Sequence, residues 1–383
     1  MILNVSLSGK CVTRHLQRQI PGCGSSRHPP VWRTLKVGLL IGMGWLALLF
    51  SDRGKASDRF PGKHWDVAAT PEEAGWSSAA LRNAQTYAES IHTAAFLVVH
   101  QGRIVDQWGK TERPFHCHSM RKSILSTLYG IHVAEGNIDL DQTLDKLGID
   151  DNEPSLTDTE QSATVRDLLK ARSGIYHPAL YETAHMKAVR PARGSRAPGE
   201  FWYYNNWDFN TLGTIFENAT SRSLFEEFES RLAGPLQMQD FDRSAHARYL
   251  TGRASVHRAY LLQLSARDLA RLGLLFARSG RWHDQQILTP EWIKESTQPY
   301  SETRRGGYGY MWWVADKGKH YPGLAVPDGS FSAHGAGGHC LLIVPQWDLV
   351  IVHRVNTFDS NHKVSDAELG RLFSLIVAAR PTQ

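Results

Sequence analysis

Cysteine is scarce in this chain, with four in 383 residues, at Cys11, Cys23, Cys117 and Cys340. No Cys-x-x-Cys pair occurs, so neither a disulfide scaffold nor a thiolate metal site is expected. His116-Cys117-His118 sets two imidazoles around a thiol, but no second ligand cluster accompanies it, and no metal is expected. Acidic residues are missing from the first 36 positions, where Lys10, Arg14, Arg18, Arg27, Arg33 and Lys36 stand. Those six charges exceed the net +5 of the whole chain, so the remainder is close to neutral. It carries no basic stripe interleaved with aromatics, and nucleic-acid binding has no footprint here. Apolar runs long enough to span a bilayer are lacking as well. The run Val37 to Phe50, VGLLIGMGWLALLF, has 14 residues. A spanning helix needs roughly 17–25 and a secretory core roughly 7–15.

What is present at the N-terminus therefore reads as targeting sequence. A basic segment (1–36) precedes the apolar run (37–50), which suits a signal peptide or a short signal anchor. A linker (51–65) follows, and Gly54-Lys55-Ala56 offers small residues at a cleavage site, with a mature start near Ser57. The Arg-rich, acid-free start would also suit an organelle transit peptide; export to the periplasm or exterior is the favoured expectation. Membrane contact is expected only through this segment.

The body, residues 66–383, shows both strand and helix periods. AAFLVVHQGRIVDQWG (94–109) is two aliphatic runs around Gln101-Gly102, a hairpin signal. GHCLLIVPQWDLVIVHRVN (338–356) is a second strand pair around Pro345 to Asp348. TVRDLLKARSG opens a helix with Thr164 and Asp167, and SARDLARLGLLFARSG opens one with Ser265 and Asp268; glycines follow both. SSAALRNAQTYAESI and SDAELGRLFSLIVAA supply an early and a terminal helix. Neither an internal repeat nor a low-complexity linker is found. The pattern predicts an α+β fold in which one sheet is assembled from both ends of the body (66–125 and 255–383). A mainly helical insertion, 126–254, packs beside it.

One stretch, HSMRKSIL (118–125), carries chemistry. Ser119 stands where a helix starts, and no charged residue occurs from Ser123 to Ile131, so the helix is expected to be buried. A capping box would place Glu or Gln three residues after the serine; Lys122 stands there instead. Residues three apart are helix-surface neighbours, so the amine reaches the hydroxyl. Burial lowers a lysine pKa and makes it a proton acceptor, and the helix N-terminus favours an anionic serine oxygen. Ser119 is thus a candidate nucleophile with its base attached.

Two further motifs follow in order: Tyr204-Asn205-Asn206 in PGEFWYYNNWDFNTLG, and His334 to Gly338 in FSAHGAGGHCLLIVP. With these the chain resembles the serine β-lactamase-related hydrolases: class C β-lactamases, penicillin-binding D-alanyl-D-alanine carboxypeptidases, and esterases and amidases of the same fold. Those carry Ser-x-x-Lys, Tyr-x-Asn, and a Lys-Thr-Gly or His-x-Gly strand. The resemblance runs from about Asp66 to the C-terminus, and ILTPEWIKES and GAGGHCLLIVPQWDLVIV look most like the branch holding 6-aminohexanoate-dimer hydrolase and related esterases. It implies a β-lactamase/transpeptidase-like fold, an antiparallel sheet flanked by helices with a helical subdomain inserted.

For the site, the resemblance implies Ser119 as the acylated nucleophile, Lys122 as its partner and Tyr204 as the tyrosine that, near a lysine cation, acts as phenolate base and returns the proton to the leaving group. Asn206 would orient Lys122 and substrate, with His334 and Gly335 lining the site. The backbone N–H groups of Ser119 and Ala336 would form the oxyanion hole. No cofactor is implied. The expected substrate is a small ester or amide; β-lactams and D-Ala-D-Ala peptides are alternatives, as is a catalytically idle penicillin-recognising or cell-wall binding module. The third motif departs from the family. No Lys-Thr-Gly occurs, and the usual lysine position falls near Ala333 or on His334. The pocket is therefore expected to have one fewer fixed cation for a substrate carboxylate, and neutral substrates to be preferred.

Overall fold

A computed structural model describes residues 59–358 and 362–381. The apolar run 37–50 and its basic flank lie outside the described residues. No helix among the described residues is long and apolar enough to cross a membrane.

The sheet begins with the hairpin that the sequence predicts. β1 (Thr93–His100) and β2 (Arg103–Gly109) are joined at Gln101 (φ 51°) and Gly102 (φ 77°). Two consecutive left-handed residues make the tight loop whose twist matches that of its strands. Six more strands come from the C-terminal third: β3 (Ser301–Thr303), β4 (Gly306–Tyr308), β5 (Trp313–Val314), β6 (Phe331–Gly335), β7 (His339–Val344) and β8 (Leu349–Val355). Their order is β2-β1-β8-β7-β6-β5-β4-β3, antiparallel at every pairing. The first hairpin thus docks on the last strand, and both ends of the body meet in one sheet.

Strand alternation divides the core into two layers. Phe96, Val98, Leu342 and Ile351 pack against α1 (Ser78–Ser90) and the terminal helix α5 (Asp366–Ala378). Leu97, Val99, Leu341 and Val350 face the other way, into the core shared with α2 (Met120–Ala134) and α4 (Ala266–Ala277). With both faces covered, β7 and β8 are buried at every residue, which is why they read as unbroken apolar runs. The expected caps form. Ser365 and Glu368 make a capping box on α5, Thr164 and Asp167 make one on the helix Val165–Leu169, and Ser265 caps α4.

Most helices lie between α2 and α4, among them α3 (Asn206–Thr220) and several of four or five residues. Neither end of this region is a clean break. α2 runs through residue 126 without interruption, and the strand Ala247–Leu250 pairs with Ala259–Leu264. That second strand also pairs with Phe115–His116, directly before α2. It thereby fixes where the helix begins.

Candidate active site

Ser119 owes its position to the strand before it. Cys117 N–H donates to Leu262 O (2.9 Å), and Cys117 O accepts from Met120 N–H (3.0 Å). From behind, the buried Arg354 donates to Phe115 O and His116 O. Ser119 occupies the N-cap of α2, but with helical torsions (φ −75°, ψ −9°) and no side-chain cap. Ser265, Thr164 and Ser365 hold extended torsions and bond the helix backbone with their hydroxyls. The Ser119 hydroxyl is released from that duty. Its partner is Lys122, whose Nζ lies 2.8 Å from Ser119 Oγ and 2.8 Å from Tyr204 OH. Tyr204 immediately precedes Asn205, the side-chain cap of α3.

Lys122 is 2% exposed, and burial holds its pKa well below the ordinary lysine value. The second cause is the neighbouring Arg121. Arg121 is fully buried, bonded to Asn210 Oδ1 and stacked over Tyr260, with no ion-pair partner among the described residues. The faces of Tyr204 and Phe209, 4.3 and 4.7 Å from Nζ, favour a cation, but they only partly offset the desolvation. Burial also pushes the Tyr204 phenol up to about 12. Both shifts favour a neutral amine beside a protonated phenol, and not the expected phenolate near a lysine cation, because burial disfavours both charged forms.

The backbone N–H groups of Ser119 and Ala336 donate to nothing else in the described protein, which leaves both available to an oxyanion. Gly335 permits their approach. A Cβ at this residue would lie 2.6 Å from Cys117 O. Ser119, Tyr204, His334 and Ala336 all line one cavity of about 540 Å³, within the usual range for small-molecule sites.

Two expectations change here. Asn206 makes no hydrogen bond to Lys122: its amide donates to Tyr181 O (2.5 Å), and its Oδ1 is buried without a partner. The carbonyl of Tyr181, a residue with φ 64°, has captured the amide. Of the two places where a strand lysine would fall, Ala333 is 2% exposed in the core and His334 lines the cavity. His334 supplies no cation. Its Nε2 faces Arg305 Nη2 at 3.2 Å, and a guanidinium can only donate. Nε2 therefore accepts, and Nδ1–H donates to Tyr321 OH at 3.2 Å. Burial and the Arg305 charge accordingly lower the His334 pKa.

The sequence reading missed Arg121, Arg354 and Arg305. Arg305 follows β3 in the turn to β4, and it lines the cavity. The only signal for Arg121 was its place inside Ser-x-x-Lys; the other two had none.

A serine and a tyrosine bonded to one buried lysine at the head of a helix, with a strand glycine packed against that helix start, is the arrangement of the β-lactamase/transpeptidase fold. Residues 80–374 match the Beta-lactamase family, and the chain belongs to it. It is similar to an uncharacterised protein of Alkalihalophilus pseudofirmus, 25% identical over 303 residues, covering 70% of this chain and 84% of that one. Among solved structures it is similar to a candidate 6-aminohexanoate-dimer hydrolase of Bacillus anthracis, with TM-score 0.59 and 22% identity. That match covers 84% of this chain and 87% of the other. It is also similar to EstCE1, described as a hydrolase with promiscuous acyltransferase activity: TM-score 0.56, 16% identity, coverage 78% and 98%.

Proposed function

We propose that the protein is a serine hydrolase that cleaves small esters or amides through an acyl-enzyme on Ser119. The observation that carries this is Lys122 Nζ at 2.8 Å from both hydroxyls. Neutral Lys122 takes the Ser119 proton as Oγ attacks the substrate carbonyl. The negative charge that develops on the carbonyl oxygen is held by the two free N–H groups. As the intermediate collapses, Tyr204 passes its proton to the leaving group and is reprotonated from Lys122. The same groups, with water as nucleophile, release the acid and restore Ser119.

The names of the similar proteins, a 6-aminohexanoate-dimer hydrolase and a hydrolase with promiscuous acyltransferase activity, support hydrolysis through acyl transfer. Membership of the Beta-lactamase family supports β-lactam or D-Ala-D-Ala substrates as the second reading. An idle binding module fits poorly with a nucleophile kept free of its capping bond. The test is intact-protein mass after exposure to a fluorophosphonate. One adduct is expected on the native chain and none on Ser119→Ala. An adduct of equal yield on Ser119→Ala would refute the assignment.

A further inference from the structure

The cavity is not electrically neutral. Two arginines line it, Arg304 and Arg305, and no Asp or Glu does. Arg305 is 6% exposed and held rigidly. Its Nε donates to Asp366 Oδ2 (3.0 Å) and its Nη2 to Asp366 Oδ1 (2.6 Å), while its face covers the ring of Trp313 at 4.9 Å. Nη1 has no partner among the described residues. Arg304 keeps a 79% exposed side chain, 3.5 Å from the same carboxylate. Two guanidinium groups thus share one carboxylate, and one positive charge is left over. The remaining walls include Trp202, Met186, Val189 and Trp313.

We infer that Arg304 and Arg305 form an anion-recognition element, so that the preferred substrate is an ester or amide carrying a carboxylate alongside an apolar group. The inference rests on the reading of Ser119 as nucleophile for its connection to turnover, but not for binding. The cation that the β6 strand lacks is delivered instead from the β3–β4 turn, braced by Asp366 at the start of α5. Arg305 is fixed in place before substrate arrives, so little side-chain entropy is lost on binding. Arg304, being exposed, adds attraction that salt screens.

Two arms test this. In the first, kcat/KM is measured for 4-nitrophenyl butyrate, for mono-4-nitrophenyl glutarate (carboxylate on the acyl half) and for 3-carboxy-4-nitrophenyl butyrate (carboxylate on the leaving half). One of the two anionic esters is expected to exceed the neutral one by about tenfold or more, and which one it is identifies the half that meets the arginines. That ratio should fall toward one in Arg304→Glu and in 0.5 M salt. Arg305→Gln should lower it further; should that variant fail to fold, Arg304→Glu still decides. The second arm needs no chemistry. Ser119→Ala is titrated with succinic mono-4-nitroanilide and with the uncharged N-methylamide of the same compound, reading quenching of the cavity tryptophans. Tighter binding of the carboxylate, lost in Ser119→Ala/Arg304→Glu, is expected. Equal handling of charged and neutral ligands in both arms, or a preference indifferent to both arginines, would overturn the inference. A binding preference without any turnover by the native chain would overturn the hydrolase reading and leave this one standing.

Discussion

Gly335→Ala is a severe test of the proposed oxyanion hole. Gly335 does not need glycine for its torsions, since its φ lies outside the left-handed region, so an alanine backbone fits. The objection is contact. The new Cβ would lie 2.6 Å from Cys117 O, 3.1 Å from His339 Cβ and 3.3 Å from Met120 Cγ, and contacts under 3.0 Å essentially never occur. β6, which carries Ala336, and the segment leading into α2, which carries Ser119, must therefore shift apart by at least about 0.4 Å. Losing one oxyanion donor costs about 10²–10³ in rate, and a shift of roughly 1 Å about 10². A partial opening should then lower kcat/KM by about 10–100-fold, mostly through kcat. Overpacking should cost about 1–3 kcal/mol. Ester hydrolysis and thermal melting would be measured beside Gly62→Ala, where an added Cβ meets nothing within 4 Å. If Gly335→Ala melts lower than Gly62→Ala yet keeps full kcat/KM, the strand does not carry the oxyanion hole.

Other outcomes follow from the same geometry. With Lys122 as the proposed neutral base, the rate should rise with pH through its depressed pKa; Arg121→Gln removes a positive neighbour, raises that pKa, and should move the limb to higher pH. An unmoved limb in a folded variant would show that Lys122 is not the base. Because the folded-state pKa lies below the unfolded value, stability should increase with pH between the two, and below that window the buried amine costs about 1.4 kcal/mol per unit of depression. Lys122→Met should accordingly melt higher at pH 7 while losing turnover; a lower melting point would contradict the desolvation argument. To test the expectation of export, residues 1–60 fused to a reporter active only outside the cytoplasm should give signal, and a signal only from a cytoplasmic reporter would rule out export.

Features written in local chemistry were legible from the sequence. Gln101-Gly102 specified a two-residue turn because two left-handed residues in succession have few other uses. Ser365 and Glu368 specified a helix start because each satisfies the other's orphan backbone group. Ser119 and Lys122 were legible for a related reason: three residues on a helix place a hydroxyl and an amine on one face whatever surrounds them. Asn206 was not, because its alternative partner, Tyr181 O, lies 25 residues away in a turn that no motif announces. The strand position was open between Ala333 and His334 because sequence alone could not say which of the two pointed into the core. Phe331 and Ala333 pack in the core, and strand alternation puts His334 on the other face of β6, where it lines the cavity.

The cations show where such reading stops. Charge counting treats every arginine alike, but the effect of a guanidinium depends on what water and carboxylate it has lost. Arg121 is buried with no acidic partner among the described residues, so its charge adds to the burial that makes protonation of its neighbour Lys122 costly. Arg305 is buried with an acid 61 residues later, and that pairing converts it from a disruptive charge into a fixed donor. His334, one of the two places where the strand lysine would fall, is made an acceptor by that same arginine. The motif strand thus lost its lysine without the cavity losing its positive charge, because the turn between β3 and β4 supplies one from the side. A preference for neutral substrates followed from the strand alone; with Arg305 in the wall, the charge balance of the cavity argues for the opposite preference.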